Sequence, residues 1–434
     1  MNFERIIKTQ INPTNSTDSG FSFADGNPNI VFQLSKTMGL LDLLSLKFNY
    51  TFSIGATAGS ALPNNNALKG GGGVEYNMDL YSGLGGIIRQ INIATSDGTQ
   101  IESIRNYAQM LKLMSVVHSE GEYNTSVQNK FGVSPYQKVM QSTLNQKQDV
   151  SLELLSGVLS MERFYPLNAQ DLQITVELQT DTNVLFGAQS ITDSPTYSLK
   201  DVNMTYDVYR PDAEGQLVLE KAVGGEFSYN SLTSVYNIVN SSDATTDISL
   251  NDKRVRSVIS TLIPTSYINT YAQNGLKMTR PENSTSETRV DAVEFKRNGV
   301  SYPYDERIDV EQASLALRPQ TGVLKEFINS VVPIMDHKTT LMRLRNATSK
   351  LDANESLDIV GNIDNILKNV SSQAIYGIGV NFDDATDVGA DFTNSTFSKR
   401  LQSGLNGEKP MSVYSNIVSR NQVIYDQGRI SVSS

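Results

Sequence analysis

Asp383-Asp384, with Asp387 and Asp391 close behind, offers carboxylates that a hard cation could use. A calcium loop needs oxygen ligands at alternating positions around a central glycine, and Gly389 is misplaced for that arrangement. The run therefore reads as a solvated acidic loop, with a structural cation at an interface as the alternative use of Asp383 and Asp384. Asp336 beside His337 has the composition of an acid–base pair. Adjacent residues on a strand point opposite ways, so an exposed loop pair is the expectation there. The glycines at 70–73 lack the Lys-Ser/Thr that a phosphate loop requires and read as a flexible loop.

Other chemistry lacks raw material. With no Cys, thiolate zinc sites, cysteine nucleophiles and disulfides are all excluded. With His118 and His337 as the two histidines, imidazole-based catalysis and metal clusters have almost nothing to work with. A net charge of −10 and the lack of a dense basic run argue against gripping a phosphate backbone. The first residues lack the apolar stretch of a secretion signal, and no run approaches a membrane span, so synthesis inside a cell without secretion is expected. No catalytic residue, no cofactor and no enzymatic role is expected.

The elements that would carry any site are mostly strands. At 434 residues the chain is long enough for two domains of roughly 200 residues each. Leu44, Leu46, Phe48, Tyr50 and Phe52 alternate with polar residues at the period of a half-buried strand. So do Leu172, Ile174, Val176 and Leu178. Tyr197 and Leu199 alternate, and Val202, Met204, Tyr206 and Val208 continue with the parity shifted by one, the signature of an inserted bulge residue. Asp97-Gly98 and Asn298-Gly299 lie between apolar runs as hairpin turns. Each is followed by helical spacing, over 103–117 and about 311–332. Strands, hairpin and helix thus recur in both halves, which suggests duplication of one all-β unit. Residues 119–149 and 335–400 read as polar loops.

Several stretches carry a resemblance. Gly85-Gly86-Ile87-Ile88-Arg89-Gln90-Ile91-Asn92-Ile93 leads through Gly98 and Ile101 to Asn106-Tyr107. Ser156-Gly157-Val158-Leu159 leads to Phe164-Tyr165-Pro166-Leu167, and Tyr197 to Val202 continues to Tyr206-Asp207-Val208. Arg254 to Leu262 and Val293-Glu294-Phe295 to Tyr302-Pro303 follow in the second half. Together these resemble, in order and spacing, the double jelly-roll major capsid proteins of polinton-like viruses, adintoviruses and virophages, relatives of adenovirus hexon and the capsid proteins of large DNA viruses.

The fold so implied is all-β: two consecutive eight-stranded jelly-roll sandwiches with a few short helices in the inter-strand loops. An N-terminal arm is expected over 1–28, the first jelly roll over 29–212 and the second over 213–434. The implied function is that of a major capsid protein in the virion, whose homotrimers are pseudo-hexagonal and tile an icosahedral shell around the genome. Expected partners are neighbouring capsomers, a penton protein at the vertices, and minor capsid or cement proteins, with no sequence-specific nucleic-acid binding. Phe3, Ile6, Ile7 and Ile11 would make the arm an assembly lock, mobile until a neighbour offers a groove. The competing reading is a β-sandwich fibre, spike or carbohydrate-binding protein. The absence of Trp weighs against a carbohydrate platform, while nineteen Tyr keep it open.

Overall fold

The computed structural model describes residues 3–35, 39–55, 76–79, 82–117, 148–167, 170–187, 195–212, 214, 225–241, 243–250, 254–271, 273–277, 292–302, 308–309, 377–382, 389–402, 410–426 and 429–433. In the first half these form β1 (Phe3–Ile11), β2 (Asn29–Leu34), β3 (Leu40–Asp42), β4 (Lys47–Gly55), β5 (Tyr76–Asn77), β6 (Ile88–Thr95), β7 (Gln100–Arg105), α1 (Tyr107–Val117), β8 (Gln148–Leu152), β9 (Phe164–Pro166), β10 (Leu172–Leu178), α2 (Asp181–Val184), β11 (Phe186–Gly187) and β12 (Thr196–Pro211).

One sheet has β1 and the β3–β4 line on opposite sides of β12, with β9 and β8 flanking β3 and β4. The facing sheet has the order β2-β10-β6-β7. Each sheet is thus four strand positions wide, and every pairing is antiparallel. Period-two alternation sends Phe48, Ile93, Ile174 and Met204 into the space between the sheets, where all are fully buried. Asp201 adopts a φ of 52°, and the pairing of β12 with β4 slips between Lys200 and Asn203. This is the bulge that the parity shift anticipates, and it keeps both Leu199 and Val202 facing the core.

The second half repeats the order with β13 (Gly225–Val239), β14 (Asp243–Ile248), β15 (Val255–Pro264), β16 (Ala292–Arg297), β17 (Val300–Ser301), β18 (Ile308–Asp309), β19 (Gly377–Asn381), β20 (Phe397–Gln402), β21 (Met411–Asp426) and β22 (Arg429–Ser433). Here β13-β21-β15-β19 faces β14-β20-β16-β17. The last long strand is central beside the first in both halves, and the hairpins at Gly98 (φ 88°) and Gly299 (φ 81°) join equivalent strands, β6 to β7 and β16 to β17. Eight strand positions with this connectivity make each half a jelly roll. One continuous apolar cluster runs through both.

Three expectations are corrected. Residues 1–28 do not begin as an irregular arm: Phe3–Ile11 is β1, registered against β12 from Pro211 to Met204. An arm left free would expose the backbone donors and acceptors along one edge of β12, and β1 satisfies them. Helix begins at Tyr107 rather than at 103, because Gln100–Arg105 completes the hairpin as β7. The polar stretch 335–400 contains β19 and the start of β20. The second-half helix expected at 311–332, the Asp336–His337 pair, and Asp383 and Asp384 lie outside the described residues.

Candidate functional site

Among the described residues, a set of buried polar contacts lies where the two sandwiches meet. It starts at Glu102 on β7, an edge strand whose neighbours Ile101 and Ile104 are also buried. The Glu102 carboxylate accepts hydrogen bonds from the Ser156 hydroxyl, from Gly157 N (3.1 Å) and Val158 N (3.3 Å), and from Leu232 N of β13 (2.9 Å). One carboxylate thus ties the first sandwich's hairpin to its own 156–158 turn and to the second sandwich. Burial pushes the Glu102 carboxyl up, against donors that each favour the anion. Tyr229 adds a second tie by donating to Ile101 O.

The turn must pass very close to β13. A Cβ on Gly157 would sit 1.7 Å from Asn230 O, so no other residue fits without moving the strand. The Ser-Gly-hydrophobic stretch that carries part of the sequence resemblance is therefore a contact point between sandwiches.

After β7, Asn106 takes φ 52°, a left-handed conformation that asparagine tolerates, and turns the chain into α1. Residues 107–113 of that helix are buried on every side. Tyr107, Met110 and Leu111 pack into the first core, and the Tyr107 hydroxyl accepts from Leu155 N at 2.7 Å. The opposite side lies on the second sandwich. Asn106 Nδ2 donates to Ser234 Oγ (3.2 Å), Gln109 lies beside the Tyr414 hydroxyl, and Lys112 Nζ donates to Leu276 O (2.6 Å). The start of α1 thus meets the β13–β21 part of the second sandwich at Ser234 and Tyr414, and Lys112 meets the segment around Leu276.

Lys112 also pairs with Asp79 at 2.7 Å, the two side chains being 0% and 2% exposed. Asn274 Nδ2 donates to the same carboxylate at 2.7 Å, and Ser82 N donates to its other oxygen at 3.0 Å. Burial lowers the Lys112 pKa, while attraction to Asp79 works the other way. Such a pair adds little net stability, but it is costly to break. Further along, the amides of Asn183 and Asn269 exchange bonds (Asn183 Nδ2 to Asn269 Oδ1, 3.0 Å; Asn269 N to Asn183 Oδ1, 2.8 Å), and Tyr271 donates to Pro195 O at 2.8 Å.

A second unusual group lies inside the second sandwich. Lys399 on β20 points inward, fully buried, and donates to Ser260 Oγ (2.6 Å) and Ser415 Oγ (2.9 Å) on the facing sheet. Burial lowers its pKa to about 7.

These groups differ from the ones the sequence singles out. Of the expected assembly residues, Ile7 and Ile11 are half-buried in β1, with Ile11 packed on the core; the side chains of Phe3 and Ile6 lie outside the described residues. Among the described residues no three His, Asp or Glu side chains cluster as metal ligands, and no helix is long and apolar enough to cross a membrane. Glu102, Lys112 and Lys399 escape a reading by hydrophobic pattern because each is a charge at a position whose parity or helical face is buried. That interruption is itself the available signal.

The sequence matches no family model and no curated protein. Solved structures do match over nearly the whole chain. The PBCV-1 virus capsid superposes with a TM-score of 0.59 at 9% identity, covering 100% of this chain and 98% of that one. The Faustovirus major capsid protein gives 0.55 at 11% identity, covering 96% and 90%. The chain has the double jelly-roll fold. The mavirus major capsid protein shares it as well, with a TM-score of 0.52 at 10% identity over 98% of this chain and 90% of that one. In double jelly-roll terms, the contacts from Glu102 to Tyr271 form the seam between the first and second rolls.

Proposed function

We propose that this protein is a viral major capsid subunit, with interfaces in place of an active site. The observation that carries the reading is the pairing of two like sandwiches in one chain, tied by buried charged groups, from Glu102 to Leu232, from Lys112 to Leu276 and from Asp79 to Asn274. Three such chains around a threefold axis present their similar rolls in a pseudo-hexagonal outline, which lets identical capsomers tile a flat facet. The likeness in fold to viral capsid proteins, end to end, supports the same reading.

On this reading the protein resides in the virion after synthesis inside the host cell, and a separate penton protein closes the vertices, with minor capsid or cement proteins between capsomers. Ile7 and Ile11 would act in assembly as part of an ordered edge strand, together with Phe3 and Ile6, instead of as a loose arm. Native mass spectrometry and electron microscopy of the purified protein test the proposal. Trimers with a pseudo-hexagonal outline are expected. A strict monomer at micromolar concentration would overturn it.

A further inference from the structure

The outer face of the β13-β21-β15 sheet is an unusual surface for α1 to cover, because much of it is polar. Thr261 stands opposite Tyr414, while Asn416 stands between Ile259 and Ser234. Cross-strand partners lie about 5 Å apart, and the next residue on the same face is within reach of a side chain. Asn106 fixes α1 over Ser234, and Gln109, one turn on, lies beside Tyr414. Gln109, Thr261 and Asn416 are therefore gathered around Tyr414, and they are 5%, 0% and 1% exposed.

Four of their atoms have no protein partner among the described residues: Gln109 Oε1, Thr261 Oγ1, and both Asn416 Oδ1 and Nδ2. A buried polar atom without a partner loses its hydration and gains nothing in return, and this seam holds four. The set also states what would complete it. Two amide oxygens need a donor, the Asn416 nitrogen needs an acceptor, and the Thr261 hydroxyl serves either way. A cation cannot accept from Nδ2, and an anion cannot donate to the carbonyl oxygens. Water does both.

We propose that the seam between the two rolls contains a built water site, in which at least one ordered molecule bridges Gln109 of the first roll to Thr261 and Asn416 of the second. Buried waters of this kind take two to four hydrogen bonds from groups that otherwise have none. The two rolls would then be joined through solvent at this point, in contrast to the direct hydrogen bond from Lys112 Nζ to Leu276 O.

Two measurements on the purified full-length protein test this. The first is a diffraction or electron-microscopy map fine enough to show water. A peak at about 2.7–3.2 Å from two or more of the four atoms is expected. An empty seam overturns the proposal. So does a peak at about 2.3–2.6 Å from oxygens alone, the spacing of a bound cation. The second is Thr261→Val, which keeps the shape and removes the hydroxyl. With water present, the variant removes one of its partners, and Tm should fall by roughly 2–4 °C. In a dry seam the same change deletes an orphaned hydroxyl and Tm should rise, which also overturns the proposal. Neither measurement depends on the protein forming capsids, so failure here leaves the capsid reading standing, and the converse also holds.

Discussion

Lys112 of the first roll meets Asp79 at 2.7 Å in a spot closed to solvent, and Lys112 spends a second hydrogen bond on Leu276 O of the second roll. The pair itself lies within the first roll, and it reaches the second through the bonds from Lys112 Nζ to Leu276 O and from Asn274 Nδ2 to Asp79.

Lys112→Met should therefore lose about 3–5 kcal/mol, because Asp79 is left buried and charged. Adding Asp79→Leu should recover most of that loss. Urea denaturation of the two single variants and the double variant measures the coupling, and additive losses would show that the pair does not act as a unit.

Gly157→Ala should be strongly destabilising, since the new Cβ would meet Asn230 O at 1.7 Å. Gly225→Ala is the control, because a Cβ there meets nothing within 4 Å. Thermal melts should separate the two variants by well over the 2–4 °C that about 1 kcal/mol corresponds to in a domain of this size.

Lys399 gives a pH dependence with a definite sign. Its pKa is about 7 in the fold against 10.5 for the ordinary side chain. Between those values the unfolded chain binds the proton and the folded chain does not, so stability rises with pH from about 7 to 10.5. Lys399→Met should flatten that slope and raise stability at pH 7 by about 1 kcal/mol or more. Ser260 and Ser415, 3.3 Å apart, remain as partners for one another. An unchanged slope in the variant would assign the pH dependence to another group.

Deleting residues 2–12 removes β1, so the loss should appear in the isolated protein before any shell is formed. Leu199 and the rest of β12 stay, but the edge from Met204 to Pro211 loses its partner strand. A lower Tm of the unassembled protein is expected. Unchanged melting combined with failed shell assembly would restore the picture of a detachable arm.

Much of the architecture was legible in the residues themselves. The alternation of Leu172, Ile174, Val176 and Leu178, the slipped parity at Val202, and the paired turns at Gly98 and Gly299 are local patterns, and a strand's two-residue period needs no tertiary information to be read. Where alternation is interrupted, local reading fails. Phe397, Lys399 and Leu401 form one inward face, but a lysine in the middle makes it look like a loop. β1 and β13 mix polar and apolar residues too evenly to declare a face.

What only the tertiary structure decided is how the halves are joined. In the sequence Glu102 and Lys112 are ordinary charges beside a hairpin and on a helix, 130 and 164 positions from Leu232 and Leu276. A buried charge becomes tolerable when several donors or an opposite charge converge on it, and those partners come from distant segments of both rolls. The pattern of hydrophobic residues is a local property and specified the two rolls. Pairing between buried polar groups is not local, and it specified how one roll sits on the other.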